Sequence, residues 1–206
     1  MSVSELLLIA ALLVGAYLIG SIPFSYLVAR ARGVDLRQVG SGNVGSANVW
    51  RACGFGPFVV AMALDMLKGY LPTLVGLRLF PGSPAVVVLV GVAAILGHTF
   101  PIYLRFKGGK AVATSSGVLL AIAPLLAVVG VVAWAIAFAI ARISSVASLT
   151  AAAVEIFAGT ALYLSDRLPL AYALFIWLGA LFVIYLHRGN IQRLLAGTES
   201  RFGKLF

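Results

Sequence analysis

Ala111 to Ala141 reads AVATSSGVLLAIAPLLAVVGVVAWAIAFAIA, and the interpretation of this segment sets the number of membrane crossings. The segment has 31 residues, no charged side chain and one proline, Pro124, near its middle. A helix needs about 20 apolar residues to cross a bilayer, and a proline inside a helix removes a backbone hydrogen bond and kinks or ends the helix. The segment is therefore either one long tilted helix or two helices that fold back at Pro124.

The composition around this segment is that of an integral membrane protein. Of the 206 residues, 62% are hydrophobic and only 10% are charged, which exceeds the apolar content of a soluble domain of this size. The first apolar segment lacks the basic start and the small-residue cleavage site of a signal peptide, so we expect it to be retained. The five other apolar segments, each suited to a single crossing, are residues 6–24, 54–80, 85–104, 143–164 and 168–186.

Basic side chains decide between the two interpretations. If the segment folds back at Pro124, twelve lysines and arginines lie on one side of the membrane and only Arg167 lies in a loop on the other. If it crosses once, the division becomes eight against five. Positive residues concentrate in cytoplasmic loops, so the folded-back arrangement is favoured. The twelve residues are Arg30, Arg32, Arg37, Arg51, Arg105, Lys107, Lys110, Arg142, Arg188, Arg193, Arg201 and Lys204.

We therefore expect an all-α integral membrane protein that forms a bundle of seven transmembrane helices, with the N-terminus outside and the C-terminus in the cytoplasm. Helices four and five are expected to be short and folded back near Pro124. No internal repeat or separate soluble segment is visible, so residues 1–206 are expected to form a single membrane-embedded domain. Four polar stretches then share the cytoplasmic side: residues 30–52, 105–114, 142–148 and 187–206.

The net charge of +9 points to anionic lipid or an anionic substrate, because the basic residues cluster between apolar runs. We expect no nucleic-acid partner. The single cysteine, Cys53, excludes an internal disulfide.

One polar stretch, Arg105-Phe-Lys-Gly-Gly-Lys110, has the composition of a phosphate site. Its two glycines allow a sharp turn with exposed backbone amides, and Lys107 and Lys110 add positive charge. The alternative is that the lysines only anchor helix ends at the membrane surface. The stretch is not a Walker A loop, because Ala111 stands where that motif needs Ser or Thr.

A second polar stretch runs from Val39 to Arg51 and contains three glycines, two serines and two asparagines. Ser41, Asn43 and Asn48 offer short hydrogen-bonding groups, and Arg51 offers a planar fork that suits a phosphate. The alternative is a glycine-rich connector with Arg51 as an interfacial anchor.

The remaining polar residues lie in later segments and in the membrane. Ser145 and Ser148 provide hydroxyls, although such serines usually cap a helix or bond back to its carbonyls. If residues 187–194 are helical, His187 and Asn190 lie on one stripe and approach one ligand together. Asp65 and Lys68 are spaced to form an ion pair within the membrane. His98 is expected to be structural, and Glu155 has no evident partner in its own segment, so its role stays open.

Together these motifs resemble the bacterial acyl-phosphate:glycerol-3-phosphate acyltransferases, the PlsY family. The resemblance covers nearly the whole chain. Two departures concern fine loop geometry: Ala111 stands where the family usually has glycine, and Gly45-Ser-Ala-Asn48 stands where it usually has Gly-Ala-Thr-Asn. The motifs are, in order, the loop Gly40 to Arg51, Asp65-x-x-Lys-Gly69, Gly97-His-x-x-Pro101, Phe106-Lys-Gly-Gly-Lys110, His187-x-x-Asn-Ile-x-Arg-Leu194 and Gly197-Thr-Glu199.

The resemblance implies transfer of a fatty acyl group from acyl phosphate to the 1-hydroxyl of glycerol 3-phosphate, giving lysophosphatidic acid and phosphate at the start of phospholipid synthesis. It implies a multi-pass protein of the bacterial cytoplasmic (inner) membrane, with its active site at the cytoplasmic face, membrane lipid as a partner, and no cofactor or metal. The implied catalytic residues are Ser41, Arg51, Lys110, His187 and Asn190. Substrate binding is assigned to Asn43, Asn48, Lys107, Gly108, Gly109, and to Ser145 or Ser148, with the two glycines supplying backbone amides.

We expect direct attack on the acyl phosphate without an acyl-enzyme, because phosphate is already a good leaving group and the protein needs chiefly to position two anions. Cys53 begins an apolar segment and is poorly placed as a nucleophile. The base is either His187 or a phosphate oxygen of a substrate. A transporter or channel for a phosphorylated solute is the alternative function, but it should show internal repeats and polar residues near the midplane of several helices. A membrane scaffold with basic anchors would explain the charge but not the Ser/Asn/Gly loops.

Overall fold

In this computed structural model, which describes residues 2–203, the chain is helical and contains no strand within that range. Lys204, one of the twelve basic residues counted above, lies outside the described residues. The helices are α1 (Val3–Ser21), α2 (Phe24–Arg30), α3 (Ser46–Cys53), α4 (Phe55–Leu79), α5 (Pro84–Thr99), α6 (Val112–Ile122), α7 (Pro124–Ala141), α8 (Ser144–Leu164), α9 (Leu170–Leu186) and α10 (Arg188–Leu195), with a 3-10 turn at Ile102–Leu104.

Within residues 2–203, five helical segments are long and apolar enough to cross a membrane. A sixth is reached if α9 and α10, whose axes differ by 58°, are counted as one bent span. The expected all-α membrane architecture is confirmed, whereas the seven crossings and the sides of the termini stay predictions. The five segments are Val3–Arg30, Phe55–Leu79, Pro84–Leu104, Pro124–Ala141 and Ser144–Leu164.

The segment from Ala111 to Ala141 is broken where its proline predicts. α6 ends at Ile122, and Pro124 is the first residue of α7, where its missing N–H has no intrahelical partner to lose. The expectation that both helices are short is wrong for the second one. α6 has 11 residues, but α7 has 18 and is by itself long enough for a crossing.

The chain forms two compact units that divide between Ile122 and Ala123. The first unit contains α1 to α6, and the second contains α7 to α10 with the segment that follows. The expected single domain of residues 1–206 stays a prediction.

In the first unit, two glycines let α4 and α6 approach closely. A Cβ atom at Gly69 of α4 would overlap the carbonyl oxygen of Thr114, and one at Gly117 of α6 would overlap the carbonyl oxygen of Met66. Small residues at such crossings are typical of membrane helices, where close backbone packing replaces the hydrophobic driving force. The start of α6 is therefore fixed against the middle of α4.

In the second unit, α7 and α8 are joined by a tight turn in which Arg142 has a φ of 55°. Gly130 of α7 leaves room for the side chain of Glu155 on α8, since a Cβ at Gly130 would overlap Glu155 Oε1. On the next helix pair, Trp177 Nε1 of α9 donates to Thr160 Oγ1 of α8 at 2.9 Å. These contacts hold α7, α8 and α9 together and so support the polar residues at the end of α9.

Candidate functional site

The polar stretch from Val39 to Arg51, which we call the first polar loop, is folded around Asn48. Asn48 is the third residue of α3 and is 1% exposed. Its amide nitrogen donates to the carbonyl oxygens of Leu36, Val39 and Asn43, each at 3.0 Å. Its amide oxygen accepts the N–H of Ser41 at 3.1 Å. All of these partners are backbone groups, so Asn48 holds the loop in shape. Burial and these bonds engage both ends of its amide, and the expectation that Asn48 also binds substrate stays a prediction.

Asn43 also supports the loop, since its side-chain oxygen accepts the N–H of Gly45 at 2.9 Å. Gly45 is the residue before α3, so this bond fixes the chain as it enters the helix. Ser41, whose hydroxyl accepts the N–H of Asn43 at 3.4 Å, is exposed at the rim of the loop. Arg51 is half-buried in the last turn of α3, three residues after Asn48. The first unit thus places Ser41 in the loop that Asn48 orders and Arg51 in the helix that follows this loop.

The glycine turn, which comprises residues 105–111, uses two of its backbone amides in hydrogen bonds within the protein. The N–H of Gly108 donates to Thr99 O and the N–H of Gly109 donates to His98 O, both at 3.1 Å. These two amides are therefore engaged within the protein in this structure, and the expectation that they bind a phosphate stays a prediction. The turn folds back on the end of α5, and that brings its amides to the last carbonyls of the helix.

Close approach, not backbone angle, is what requires the two glycines. A Cβ at Gly108 would overlap His98 O, and one at Gly109 would overlap His98 Nε2. The positive φ values of the turn fall instead on Arg105 (52°), Phe106 (63°) and Ala111 (61°). Ala111, the departure from the family pattern, thus occupies a conformation that favours glycine.

The two lysines of the turn differ in surroundings. Lys107 is exposed, whereas Lys110 is half-buried and stands two residues before α6 begins at Val112. The first amides of a helix have no intrahelical acceptor, and that end of the helix carries partial positive charge. Lys110 and the start of α6 together therefore form the part of this turn best suited to an anion.

Beneath the glycine turn lies a buried ion pair. Asp65 Oδ1 and Lys68 Nζ are 2.9 Å apart, and both side chains are 2% exposed. Ser25 donates its hydroxyl to Asp65 Oδ2, and Lys68 donates to Ile22 O at 2.8 Å. The predicted pairing is confirmed in geometry, and it joins α4 to the break between α1 and α2.

The polar residues of the second unit gather around Glu199, which the sequence motif contained but which we did not assign to the site. Its side chain is 4% exposed and accepts hydrogen bonds from Ser145 Oγ at 2.8 Å, from Asn190 Nδ2 and from Arg193 Nε at 2.7 Å. Burial raises the pKa of Glu199, but these three donors and the Arg193 charge outweigh it, and the pKa lies below its ordinary value of 4.5. Glu199 is therefore an ionised anchor.

Of the two candidate serines, the structure brings Ser145 to Asn190, because both donate to Glu199. The hydroxyl of Ser148 instead donates to Ser144 O at 2.9 Å and accepts Trp134 Nε1 at 3.2 Å. Ser148 is thus occupied in packing α8 against α7, which is the common structural role of a helical serine.

His187 lies at the junction of α9 and α10 and is 3% exposed. Its Nδ1 is 2.8 Å from Val183 O. A carbonyl oxygen only accepts, so Nδ1 carries the proton, and in the neutral ring Nε2 is the basic nitrogen. The condition for His187 and Asn190 to lie on one stripe is met, since Arg188–Leu195 is helical and His187 directly precedes it.

The structure places Ser41, Arg51 and Lys110 in the first unit, and Ser145, His187 and Asn190 in the second. The expectation that all of them line one site stays a prediction. Within residues 2–203, no group of three His, Cys, Asp or Glu side chains is placed to hold a metal ion.

Comparison with known proteins supports the family resemblance that these motifs indicate. A family model described as glycerol-3-phosphate acyltransferase matches residues 10–197. A glycerol-3-phosphate acyltransferase of Roseiflexus sp. (strain RS-1) is 60% identical over 196 residues, which cover 95% of this chain and 96% of the relative. One of Aquifex aeolicus (strain VF5) is 44% identical over 192 residues, covering 93% and 97%.

Two crystal structures have the same fold. PlsY (YgiH), an integral membrane glycerol 3-phosphate acyltransferase, matches in its glycerol 3-phosphate form with a TM-score of 0.88 and 41% identity, covering 96% of each chain. Its lysophosphatidic acid form matches with a TM-score of 0.86 and 39% identity, again over 96% of each chain. With the family model spanning most of the sequence, this chain belongs to the glycerol-3-phosphate acyltransferase family of integral membrane proteins.

Proposed function

We propose that this protein transfers a fatty acyl group from acyl phosphate to the 1-hydroxyl of glycerol 3-phosphate. The observation that carries the proposal is the position of Lys110, on a turn held against α5 and directly before the positive end of α6. Both proposed substrates carry phosphate, and the family relationship supports glycerol 3-phosphate as the acceptor. The acyl-phosphate donor and direct transfer are our own extension.

In the proposed reaction the 1-hydroxyl oxygen attacks the acyl carbon of acyl phosphate. The new ester C–O bond forms, the C–O bond to phosphate breaks, and inorganic phosphate leaves with the electron pair. The hydroxyl proton passes to a base, for which the protein offers His187 Nε2 and the substrates offer a phosphate oxygen. Lys110 and the start of α6 would stabilise the charge that grows on the leaving phosphate.

The acceptor would be held by the first polar loop. Arg51, in α3, provides a bidentate fork for the phosphate of glycerol 3-phosphate, and Ser41 lies in the preceding loop, which Asn48 orders. In the second unit, Glu199 orients the amide of Asn190 and the hydroxyl of Ser145. We propose that His187 and Asn190 act on the same substrate, since they lie one turn apart at the start of α10.

The proposed setting is the bacterial inner membrane, with the polar loops in the cytoplasm. With seven crossings, and with α6 and α7 folded back, the twelve basic residues counted from the sequence fall on one side of the membrane. Eleven of them lie within the described residues, and Lys204 directly follows that range. The positive-inside rule supports that arrangement. Glycerol 3-phosphate is water-soluble, and an acyl phosphate has a lipid tail, so a site at the membrane surface suits both.

The direct test is an assay with purified protein in lipid nanodiscs, palmitoyl phosphate and glycerol 3-phosphate, without acyl-CoA or acyl carrier protein. We expect lysophosphatidic acid and phosphate to appear in equal amounts, with phosphate release dependent on glycerol 3-phosphate. Lys110→Ala should lower kcat by about tenfold to a hundredfold, as for other removed charge-stabilising groups, whereas Lys107→Ala should have a much smaller effect. Uptake of unchanged glycerol 3-phosphate into vesicles, without lysophosphatidic acid, would contradict the proposal.

A further inference from the structure

The Lys110 loop, residues 100–111, has both of its ends on a single turn of α4. Before the loop, His98 Nδ1 of α5 lies 3.8 Å from Asp65 Oδ1. After the loop, the Thr114 carbonyl of α6 packs directly on Gly69. Asp65 and Gly69 are four residues apart and so lie on the same face of α4. The α4 turn, which we define as residues 65–69, is thus the common support of both ends of the loop.

The α4 turn is itself fixed by buried charge. The Asp65–Lys68 pair is almost fully removed from solvent, and its remaining hydrogen bonds go to the Ser25 hydroxyl and the Ile22 carbonyl. Breaking such a pair leaves an uncompensated charge in an apolar environment, which is strongly unfavourable. The α4 turn is therefore tied to the break between α1 and α2 and cannot shift without losing these bonds.

His98 lies between the fixed α4 turn and the glycine turn and contacts the latter. Its ring lies against Gly109, where a Cβ atom would overlap Nε2, and its carbonyl oxygen accepts the N–H of Gly109 at 3.1 Å. Gly109 directly precedes Lys110, so a displacement of the His98 ring is a displacement of the lysine backbone.

A small pocket lies between the α4 turn and the glycine turn. Its lining includes Ser21, Ser25, Asp65, Lys68, His98 and Gly109. The His98 ring therefore lies between the side chains of the buried ion pair and Gly109, and contact on both sides limits the positions that it can adopt.

We propose that Asp65, Lys68 and His98 are positioning residues that hold Lys110 at the start of α6 in the geometry that acyl transfer requires. The inference rests on the proposed function of Lys110. None of the three residues touches the substrate; they act through the glycine turn. A misplacement of about 1 Å at a catalytic group can cost about a hundredfold in rate.

The first test compares the steady-state kinetics of Asp65→Asn, Lys68→Met and His98→Ala with both substrates varied. We expect kcat to fall about tenfold or more, and both KM values to stay within about threefold, because Lys110 acts mainly on charge that develops in the transition state. Glu155→Gln is the matched control, since it replaces a carboxyl on α8, in the other unit. It should leave kcat unchanged.

The second test measures hydrogen exchange of the Gly108 and Gly109 amides in folded protein. Asp65→Asn should speed their exchange about tenfold, while the amide of Ser41, which Asn48 holds in the other loop, keeps its wild-type rate. A purely structural role would lower the melting temperature without this local change. If Asp65→Asn does not fold, Lys68→Met and His98→Ala carry both tests.

The third test is a double-mutant cycle between His98 and Gly109. Gly109→Ala alone forces a methyl group into the His98 ring. In the His98→Ala background the ring is gone, so the added methyl should cost little beyond the loss from His98→Ala itself. Losses in kcat that simply add would show that the ring does not set the position of Gly109.

The proposal is overturned if folded Asp65→Asn and His98→Ala keep kcat within about twofold of wild type, or if Gly108 and Gly109 exchange at wild-type rates. Lys110→Ala separates this failure from a failure of the proposed function. An inactive Lys110→Ala with active Asp65 and His98 variants removes only the positioning role, and an active Lys110→Ala removes the role of the loop in catalysis.

Discussion

Glu199 shows how one carboxylate can order several polar side chains. Replacing it by Gln removes the charge that Ser145, Asn190 and Arg193 share, and leaves the two buried donors, Ser145 and Asn190, with a weaker acceptor. We expect Glu199→Gln to lower the free energy of unfolding by about 1–3 kcal/mol, measured by thermal unfolding in detergent. Arg201→Gln, which changes an exposed residue two positions later, is the control and should be neutral.

The same carboxylate predicts a pH dependence. Its folded-state pKa lies below the ordinary value of 4.5. Its contribution to stability is therefore complete above about pH 4.5 and is lost as the pH falls through the folded pKa. The melting temperature of wild type should fall more steeply than that of Glu199→Gln below pH 4.5, and the two curves should converge at low pH. Parallel curves would contradict the assignment.

Arg51 and Arg37 are arginines of the same polar region with different expected roles. Arg51→Lys keeps the charge but loses the fork, so we expect the KM for glycerol 3-phosphate to rise about tenfold with little change in kcat. Arg37 is 58% exposed and pairs with Asp35, with the two nearest atoms 2.7 Å apart. Because such surface pairs contribute little, Arg37→Lys should leave both constants unchanged. Equal effects of the two variants would remove the special role of Arg51.

From the sequence, the role of a single residue can be predicted only where its partners are close to it in the chain. The Asp65–Lys68 pairing follows from spacing on one helix. The structural roles of Asn48 and Gly109 are not visible in the sequence, because their hydrogen-bond partners are distant backbone groups: the Leu36 carbonyl for Asn48 and the His98 carbonyl for Gly109. Composition shows that a loop is rich in donors, but not whether those donors face a ligand or the loop itself.

At the scale of elements, the apolar pattern predicts the long helices and misses the short ones. α3 and α10 have eight residues each and contain polar side chains, so no apolar run marks them. α2 continues the apolar run of α1, so the run does not show the break between them. The break at Pro124 was predictable because a 31-residue segment with an internal proline exceeds one crossing. The unequal lengths of α6 and α7 were not, since helix length depends on where the flanking turns form.

Pro124 lies at the break between α6 and α7. Ala123, directly before it, has φ −151° and ψ 73°, which is not helical, and a following proline favours such a conformation. The two helices also pack on different partners, α6 on α4 and α7 on α8. We therefore expect Pro124→Ala to keep the break and to cost only about 0.4–1 kcal/mol, through the greater freedom of the unfolded chain. Thermal unfolding and circular dichroism test this. A gain in helix content would show that the proline alone separates α6 from α7.

At the scale of the whole molecule, the arrangement of the helices in the membrane is inferred from the distribution of basic residues alone. Within residues 2–203, five to six helical segments satisfy the length and hydropathy of a span. The seven-crossing arrangement also counts α6 as a crossing, although its 11 residues are too few to span a bilayer of about 30 Å as a single straight helix. In that arrangement the residues that flank α6 must complete the crossing.

Cysteine labelling on whole cells decides this topology. Cys53→Ala provides the background, and we expect it to keep activity within about twofold, because direct transfer needs no thiol. Gly82→Cys and Ser200→Cys place probes at two exposed positions, one between α4 and α5 and one after α10. A membrane-impermeant maleimide should label position 82 from outside and reach position 200 only after the cells are opened, because the positive-inside rule puts Arg188, Arg193 and Arg201 in the cytoplasm. Labelling of position 200 from outside would mean that residues 111–141 cross once, and that the loops bearing Lys110 and His187 lie on opposite sides of the membrane. In that case they could not act on one substrate.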